Sequence, residues 1–276
     1  MKTYAELFNL YKMYKLENDN LKLLLKETLA EHNLDYFLVQ RNPIDQKIKR
    51  ILDTRINKLK KGIPPQHILG YAYFYGLRLK VNKNVLIPRF DTEALVDVVL
   101  KDISQKPITL VDVGTGSGAI AIAIKANNPK AKVYATEIDN KAFKVAKQNT
   151  KLNRTKVILS KGDLLKPLLT RKVKVDMIIS NPPYISRDDK KIESQVKKFE
   201  PSLALFSKDN GLYHIKRIIK ESSKVLKPHG AIYLEVGYKQ ANKVKIFAVK
   251  TLANLESVEV IKDLSGIDRV VKIKFK

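Results

Sequence analysis

Asn181-Pro182-Pro183-Tyr184 is the stretch whose residue types could most directly do chemistry. It follows an apolar run, residues 175–180, that reads as a buried strand stopped by a proline break. Two consecutive prolines fix the backbone and remove two N–H donors. The carbonyls beside them then have no competing internal donor, so the corner is rigid and rich in acceptors. The Asn181 side-chain oxygen and the Pro182 carbonyl could each accept one N–H of a planar –NH2 group, with the Tyr184 ring against its plane. Such a corner would hold an amide or an exocyclic amine while its nitrogen attacks an electrophile. The same four residues also read as a strand closing in a tight turn.

A second constellation lies upstream. Asp112-Val113-Gly114-Thr115-Gly116-Ser117-Gly118-Ala119 ends one apolar strand and opens a helix. Glycines here let the backbone turn sharply and let a ligand approach. The helix N-terminus favours a carboxylate or phosphate. Asp112 is an acid that could meet an ammonium group. Glu137 ends the next strand, 23 residues after Gly114, where a carboxylate suits the two hydroxyls of a ribose. Gly162-Asp163-Leu164 follows the third strand. By position Asp163 would reach the exocyclic amine of an adenine and Leu164 its ring, although a bare Gly-Asp is a common turn.

Gly114, Gly116 and Ala119 also satisfy the dinucleotide pattern G-x-G-x-x-A. A nicotinamide enzyme therefore stands beside an S-adenosylmethionine enzyme as a reading of this loop, with a purely turn-forming role as the third. Asp112 before the loop favours the second reading. So does the Asn-Pro-Pro-Tyr corner at the end of the fourth strand, beside the same cleft.

The elements that must position these residues follow from periodicity. Residues 1–62 read as helices. Leu21, Leu23, Leu24, Leu25 and Leu29 give one apolar stripe. Ile44, Ile48, Ile51, Leu52, Ile56 and Leu59 give another, with Asn42-Pro43 as its cap and Gly62 as its end. Gly62-Ile63-Pro64-Pro65 is a break. Alternating aromatic and apolar residues from Tyr71 to Pro88 then suggest a hairpin linker. Residues 89–93 open a helix that runs to about Asp102. From Ile108 strands (108–113, 132–136, 156–159, 174–179, 231–235, 257–261 and 270–275) interleave with helices (117–127, 140–151, 211–226 and 238–252). That alternation predicts an α/β fold with a doubly wound, Rossmann-like sheet and helices on both faces. Ligands in such sheets sit at the carboxyl ends of the strands. The expected domains are 1–65, a small helical domain; 66–90, a β-hairpin linker; and 91–276, the catalytic domain.

The chain has 276 residues, a net charge of +25 and no cysteine. Disulfides, thiolate metal sites and a cysteine nucleophile are excluded. The four histidines show no metal-ligand spacing, and no metal is expected. The charge suits polyanions such as nucleic acid or ribosomes, but lysine is scattered through every segment as on solvated faces. No apolar stretch is long enough to span a bilayer, and the N-terminus lacks a signal-peptide apolar region. A soluble, cytoplasmic monomer is expected.

With the loop, Glu137 and the proline corner in place, the chain resembles the HemK-type protein-(glutamine-N5) methyltransferases that modify peptide chain release factors. The likeness extends through Gln66 to Gly70, Phe74 and Gly76, Val85 to Arg89 with Thr92-Glu93, Phe199-Glu200-Pro201, Ala204-Leu205, Gly211-Leu212, Leu234 to Gly237 and Gln240. It implies a class I methyltransferase fold with S-adenosyl-L-methionine as co-substrate and the Gly-Gly-Gln glutamine of a release factor as acceptor. It implies that Gly114, Thr115, Gly116, Ser117 and Gly118 hold the methionine end, Glu137 the ribose, and Asp163 and Leu164 the adenine. Asn181 and Pro182 would take the amide hydrogens, Pro183 would supply rigidity, and Tyr184 would wall the amide plane. Asn181 would also touch the cofactor, and the N-terminal helices are candidates for release-factor contact. Phe90 stands where the family usually has a second proline, His67 where it has Tyr, Glu137 where it has Asp, and Leu164 where some members have an aromatic ring. Alternatives are an adenine-N6 nucleic-acid methyltransferase, a ribosomal-protein glutamine methyltransferase, and a cofactor-sensing ribosome-binding module.

Overall fold

Strict alternation along each central strand divides the larger core into two layers. In β3 (Thr109–Val113), Leu110 faces one apolar cluster while Val111 and Val113 face another. In β6 (Val175–Ser180), Met177 and Ile179 join the first cluster and Ile178 the second. In β7 (Leu226–Glu235), Tyr233 joins the first, and Ile232 and Leu234 the second. Strands buried on both faces need helices on both faces.

The computed structural model describes residues 3–14, 16–189 and 194–276. They form two units, one running up to Tyr71 together with a short helix at 194–199, the other comprising the remainder. The first unit is helical: α1 (Tyr4–Lys12), α2 (Asn18–Ala30), α3 (Tyr36–Val39), α4 (Gln46–Lys60) and α5 (Pro65–Leu69). Tyr4, Leu7 and Phe8 of α1, Leu21, Leu24 and Leu29 of α2, and Ile48, Leu52 and Ile56 of α4 share its core. The cap of α4 differs from expectation. Asp45, not Asn42, accepts from the backbone N–H of Lys47 and Ile48 (2.7 and 3.1 Å). A carboxylate at this position satisfies two of the donors that the first turn leaves unpaired. Pro43 instead forms an isolated bridge with Thr3.

A two-stranded hairpin, β1 (Tyr71–Phe74) and β2 (Leu77–Lys80), turns through Tyr75 and Gly76, both at positive φ, as tight hairpins require. A single 3-10 turn, Phe90–Thr92, leads into α6 (Glu93–Ile103). Then come α7 (Ala119–Asn127), β4 (Lys132–Glu137), α8 (Asn140–Leu152), β5 (Val157–Lys161) and α9 (Lys166–Thr170). After β6 follow α10 (Ser194–Phe199), α11 (Ser202–Leu205), α12 (Tyr213–Ser222), β7, α13 (Ala241–Thr251), β8 (Leu255–Lys262) and β9 (Asp268–Phe275).

The seven strands of the main sheet lie in the order β5-β4-β3-β6-β7-β9-β8. The first five pair in parallel; β9 pairs antiparallel with both β7 and β8. This is a doubly wound, Rossmann-like sheet, as the alternation of strands and helices predicts. The winding reverses between β3 and β6, where Asp112 stands opposite Ile179. The crevice beyond their carboxyl ends is therefore where a ligand belongs. The helix that starts there, α7, reads Ala-Ile-Ala-Ile-Ala-Ile and is buried over residues 119–124, as expected of a helix apolar on every side. Among the described residues no helix is long and apolar enough to cross a membrane.

Candidate active site

Beyond the ends of β3 and β6 opens a cavity of about 300 Å³, within the range of small-molecule sites. Gly114, Thr115, Gly116, Ser117, Glu137, Asp163, Leu164, Asn181 and Pro183 all line it. The two constellations seen in the sequence thus meet in one place.

The loop after β3 is held from behind. The backbone N–H groups of Gly114 and Thr115 both donate to the Thr136 carbonyl at 2.9 Å. The Thr115 hydroxyl (2.5 Å) and the Ala121 N–H (3.2 Å) both donate to Oδ2 of Asp112. Asp112 is buried, and its other oxygen lacks a hydrogen-bond partner. Burial pushes its carboxyl up to about 7, against the pull of Thr115 and Ala121. It is absent from the cavity wall and braces the loop from the core side. Gly118 takes φ +87°, and a Cβ there would lie 2.9 Å from the Ile122 side chain. A Cβ at Gly114 or Gly116 would meet nothing within 4 Å. The space their missing side chains leave is cavity space, which fits a cofactor resting on bare backbone.

Glu137 accepts from the N–H groups of Gly116 (2.8 Å, on Oε2) and Asp139 (2.9 Å, on Oε1). Each oxygen keeps a lone pair, so the carboxylate can still take a pair of hydroxyls. Burial raises its pKa while these backbone donors lower it.

Asp163 lies in the cavity wall, where Arg217 of α12 grips both its oxygens, at 3.0 and 2.9 Å, and Lys166 adds a third contact at 3.0 Å. The hydrogen bond from Arg217, followed by that from Lys166, holds this carboxyl below its usual range despite partial burial. The carboxylate is thereby fixed as an acceptor. Leu164 beside it adopts φ 46°, sparsely populated by non-glycine residues.

The proline corner is built differently. Asn181 turns its amide nitrogen to the Thr92 hydroxyl (3.1 Å), a contact spanning 89 residues. Pro182 is buried, and Pro183 lines the cavity. Tyr184 sends its hydroxyl to the buried Glu235 at 3.3 Å, and its ring packs at the edge of the core formed by α12 and α13. Gln240 locks the turn: its Nε2 donates to the Tyr184 carbonyl (2.9 Å) and its Oε1 accepts from Gly237 N–H (2.9 Å). Gly211, at φ +87°, passes so close that a Cβ would sit 2.0 Å from the Tyr184 oxygen. Arg89 pairs with Glu200, which also accepts from Ile87 N–H at 3.3 Å.

Thr92, Glu235, Arg217 and Glu200 were not assigned roles from the sequence. Their partners lie between 51 and 111 residues away along the chain, beyond the reach of local spacing. Among the described residues no group of three or more His, Asp or Glu could hold a metal ion.

A family profile described as Methyltransferase small domain matches residues 90–202. The release factor glutamine methyltransferase of Streptococcus pneumoniae (strain ATCC BAA-255 / R6) is 38% identical, over 86% of this chain and 84% of that protein. That of Staphylococcus aureus (strain NCTC 8325 / PS 47) is 31% identical over 98% of this chain and 97% of its own length. The chain belongs to the release factor glutamine methyltransferase family. It is accordingly an S-adenosylmethionine-dependent methyltransferase. The crystal structure of a methyltransferase from Pyrococcus furiosus shares the fold, with 21% identity, a TM-score of 0.54, and coverage of 80% of this chain and 96% of that one.

Proposed function

We propose that this enzyme transfers the methyl group of S-adenosyl-L-methionine to the side-chain nitrogen of the Gly-Gly-Gln glutamine of peptide chain release factors. The observation that carries the reading is the set of Asn181. With its –NH2 engaged by Thr92, the side chain offers its oxygen as an acceptor at the wall of the cavity that the glycine loop also lines.

The chemistry follows from the acceptor. An amide nitrogen is a poor nucleophile because its lone pair is delocalised into the carbonyl. Asn181 Oδ1 and the Pro182 carbonyl, each taking one amide hydrogen, localise that pair on nitrogen and aim it. Fixed acceptors also stabilise the positive charge that develops as the N–C bond forms. The bound co-substrate supplies an activated methyl on a sulfonium, so holding nucleophile and methyl in line is the main remaining task. The proton leaves the nitrogen after transfer. Pro183 keeps the corner rigid, and Tyr184 backs it. Gly114, Thr115, Gly116, Ser117 and Gly118 take the methionine end, supported from behind by Asp112. Glu137 takes the ribose, and Asp163 with Leu164 the adenine. The reaction calls for no metal. The same reading makes the enzyme a cytoplasmic monomer whose N-terminal helices meet the release factor, with a weak affinity for ribosomal or other nucleic acid from its +25 charge.

The test offers rival acceptors to the purified enzyme with methyl-labelled co-substrate. Label on a release factor, lost when its Gly-Gly-Gln glutamine is replaced, is the expected result. Label on bulk RNA or DNA instead would overturn the reading.

A further inference from the structure

Two acid-free stretches of the chain fold against each other. From Ala72 to Phe90 there are four bases and no acid; from Asn140 to Gly162 there are seven bases and no acid. The chain as a whole carries 53 bases to 28 acids, so the excess here is local, above the general scatter of lysine. The first stretch holds most of the hairpin and the loop to Arg89; the second holds α8 and β5. Asn149 of α8 joins them, accepting from Lys80 N–H (2.7 Å) and donating to the Lys80 carbonyl (2.9 Å). Asn153 donates to the Arg78 carbonyl at 3.1 Å. Beneath, Ala72, Val81, Val85 and Ile87 share an apolar cluster with Ala142 and Val145 of α8.

The bases face outward. α8 buries Ala142, Val145, Ala146 and Asn149 and turns Lys141, Lys144, Lys147 and Lys151 to solvent. Ten residues separate the first of these lysines from the last, about 15 Å along a helix. On the hairpin, alternation buries Leu79 and exposes Lys80, and Tyr73 of β1 is 57% exposed. Lys83 and Lys141 both line the cavity. Lys80, Lys83 and the four α8 lysines form no ion pair with any described residue. The acids that bound the two stretches are engaged elsewhere: Asp139 caps α8, Asp163 holds Arg217, and Asp91 pairs with Arg269.

We propose that this face is a docking surface for RNA, whose phosphates run along the α8 lysines and whose unpaired bases stack on Tyr73. Like charges held together without acids repel one another. A phosphate backbone relieves that repulsion and releases its own condensed counterions as it binds. Protein–protein interfaces, by contrast, are depleted of lysine and centre on aromatic and apolar anchors. The outward side of α8 offers lysine and Gln148, and no large apolar residue of α8 is exposed before Leu152 at its end. Lysine meets phosphate as a point charge, so the contact follows the backbone whatever the base sequence. An exposed aromatic beside basic side chains suits unpaired nucleotides, which an RNA hairpin offers and a DNA duplex lacks. RNA docked here would lie beside the cavity, where Lys83 and Lys141 stand. The inference gives the nucleic-acid affinity proposed above a place on the molecule, and it stands whichever acceptor is methylated.

The experiment titrates the full chain into a fluorescent RNA hairpin of arbitrary sequence, read by anisotropy, across a series of salt concentrations. Release-factor methylation is measured on the same preparations. Log affinity against log salt should fall with a slope of about −3 or steeper, as roughly four phosphate contacts require. The triple variant Lys144→Gln, Lys147→Gln, Lys151→Gln leaves the cavity wall untouched. It should make the slope shallower by about 2 and weaken binding by about tenfold or more, with methylation unchanged. Lys243→Gln, Lys245→Gln, Lys250→Gln on α13 removes the same charge from another exposed helix. Distant exposed charges are screened, so this control should keep affinity within about twofold. The unaltered enzyme should prefer the hairpin to a DNA duplex of equal length, and Tyr73→Ala should cut that preference by about fivefold, the loss of one stacked base. Equal losses in the two triple variants would overturn the inference, because affinity would then follow net charge alone. A duplex bound as tightly as the hairpin would overturn the assignment to RNA. An α8 triple variant that keeps RNA affinity but loses release-factor methylation would overturn it in favour of a protein-docking face. Failure of the unaltered enzyme to methylate a release factor, with RNA binding as expected, would overturn the proposed function alone.

Discussion

The two ends of the cavity solve the same problem, holding a ligand still, by opposite means. The end near α7 is mostly backbone. Glycines bare the chain, the Thr136 carbonyl ties the loop down, and Glu137 is oriented by two N–H groups. The end near β6 is mostly side chain. Asn181 depends on Thr92, Tyr184 on Glu235, and the turn itself on Gln240 and Gly211. Backbone cradles tolerate change around them because secondary structure already fixes their geometry. A side-chain network fails at its weakest member, because each partly satisfied polar group in a low dielectric is costly. Damage to the first end should therefore appear as lost affinity, and damage to the second as lost turnover.

The sharpest break is at the side-chain end. Gly211→Ala should force a Cβ against the Tyr184 carbonyl at a backbone angle that side chains avoid. A loss of about 3 kcal/mol is expected from strain and displacement together. Calorimetric melting and kcat should both fall, and S-adenosylhomocysteine affinity should fall less. Next, Glu137→Ala at the backbone end removes a charged acceptor whose partners are hydroxyls. It should weaken co-substrate binding by about 1.5–3 kcal/mol, read by isothermal titration, while kcat at saturation holds within about threefold.

Asp112 gives a pH-dependent test of the same end. Its folded pKa of about 7 exceeds the usual carboxylate value. The folded state therefore binds the proton more tightly, and this group's contribution to stability falls as pH rises from about 4 to 7. The stability of Asp112→Asn relative to the unaltered enzyme should improve across that window. A difference that is constant with pH would contradict the assignment. The smallest effect is expected from Arg217→Ala. Loss of the two-pronged grip should let the Asp163 carboxylate wander and weaken co-substrate binding by about 1 kcal/mol, without a change in kcat.

This division also explains what could be read before the fold was known. The strands were visible because Leu110, Val111, Met177 and Ile178 alternate between two helical layers. The glycine loop and Glu137 were visible because a backbone cradle is local, contained in one strand, one turn and the next strand. Asn181-Pro182-Pro183-Tyr184 was visible because two prolines announce a corner. What supports that corner was not visible. Thr92 and Glu235 fall in stretches that carry the family resemblance, but nothing in their local spacing assigns them a role. Their roles come from the sheet order, which brings β7 beside β6. The single turns α9 and α11 also escaped, since five or four residues carry too little periodicity to register. Asn42-Pro43 was a plausible cap displaced by Asp45, three residues on.

The most direct test of the account separates its two halves in one variant. Asn181→Ala should be assayed for methyl transfer to a release factor and, on the same preparation, for S-adenosylhomocysteine binding by calorimetry. The account predicts a loss of kcat of about a thousandfold, at the upper end of what one preorganised partner contributes, with affinity within a few fold. Turnover within tenfold of the unaltered enzyme would contradict it, because the acceptor corner would then not be what activates the amide.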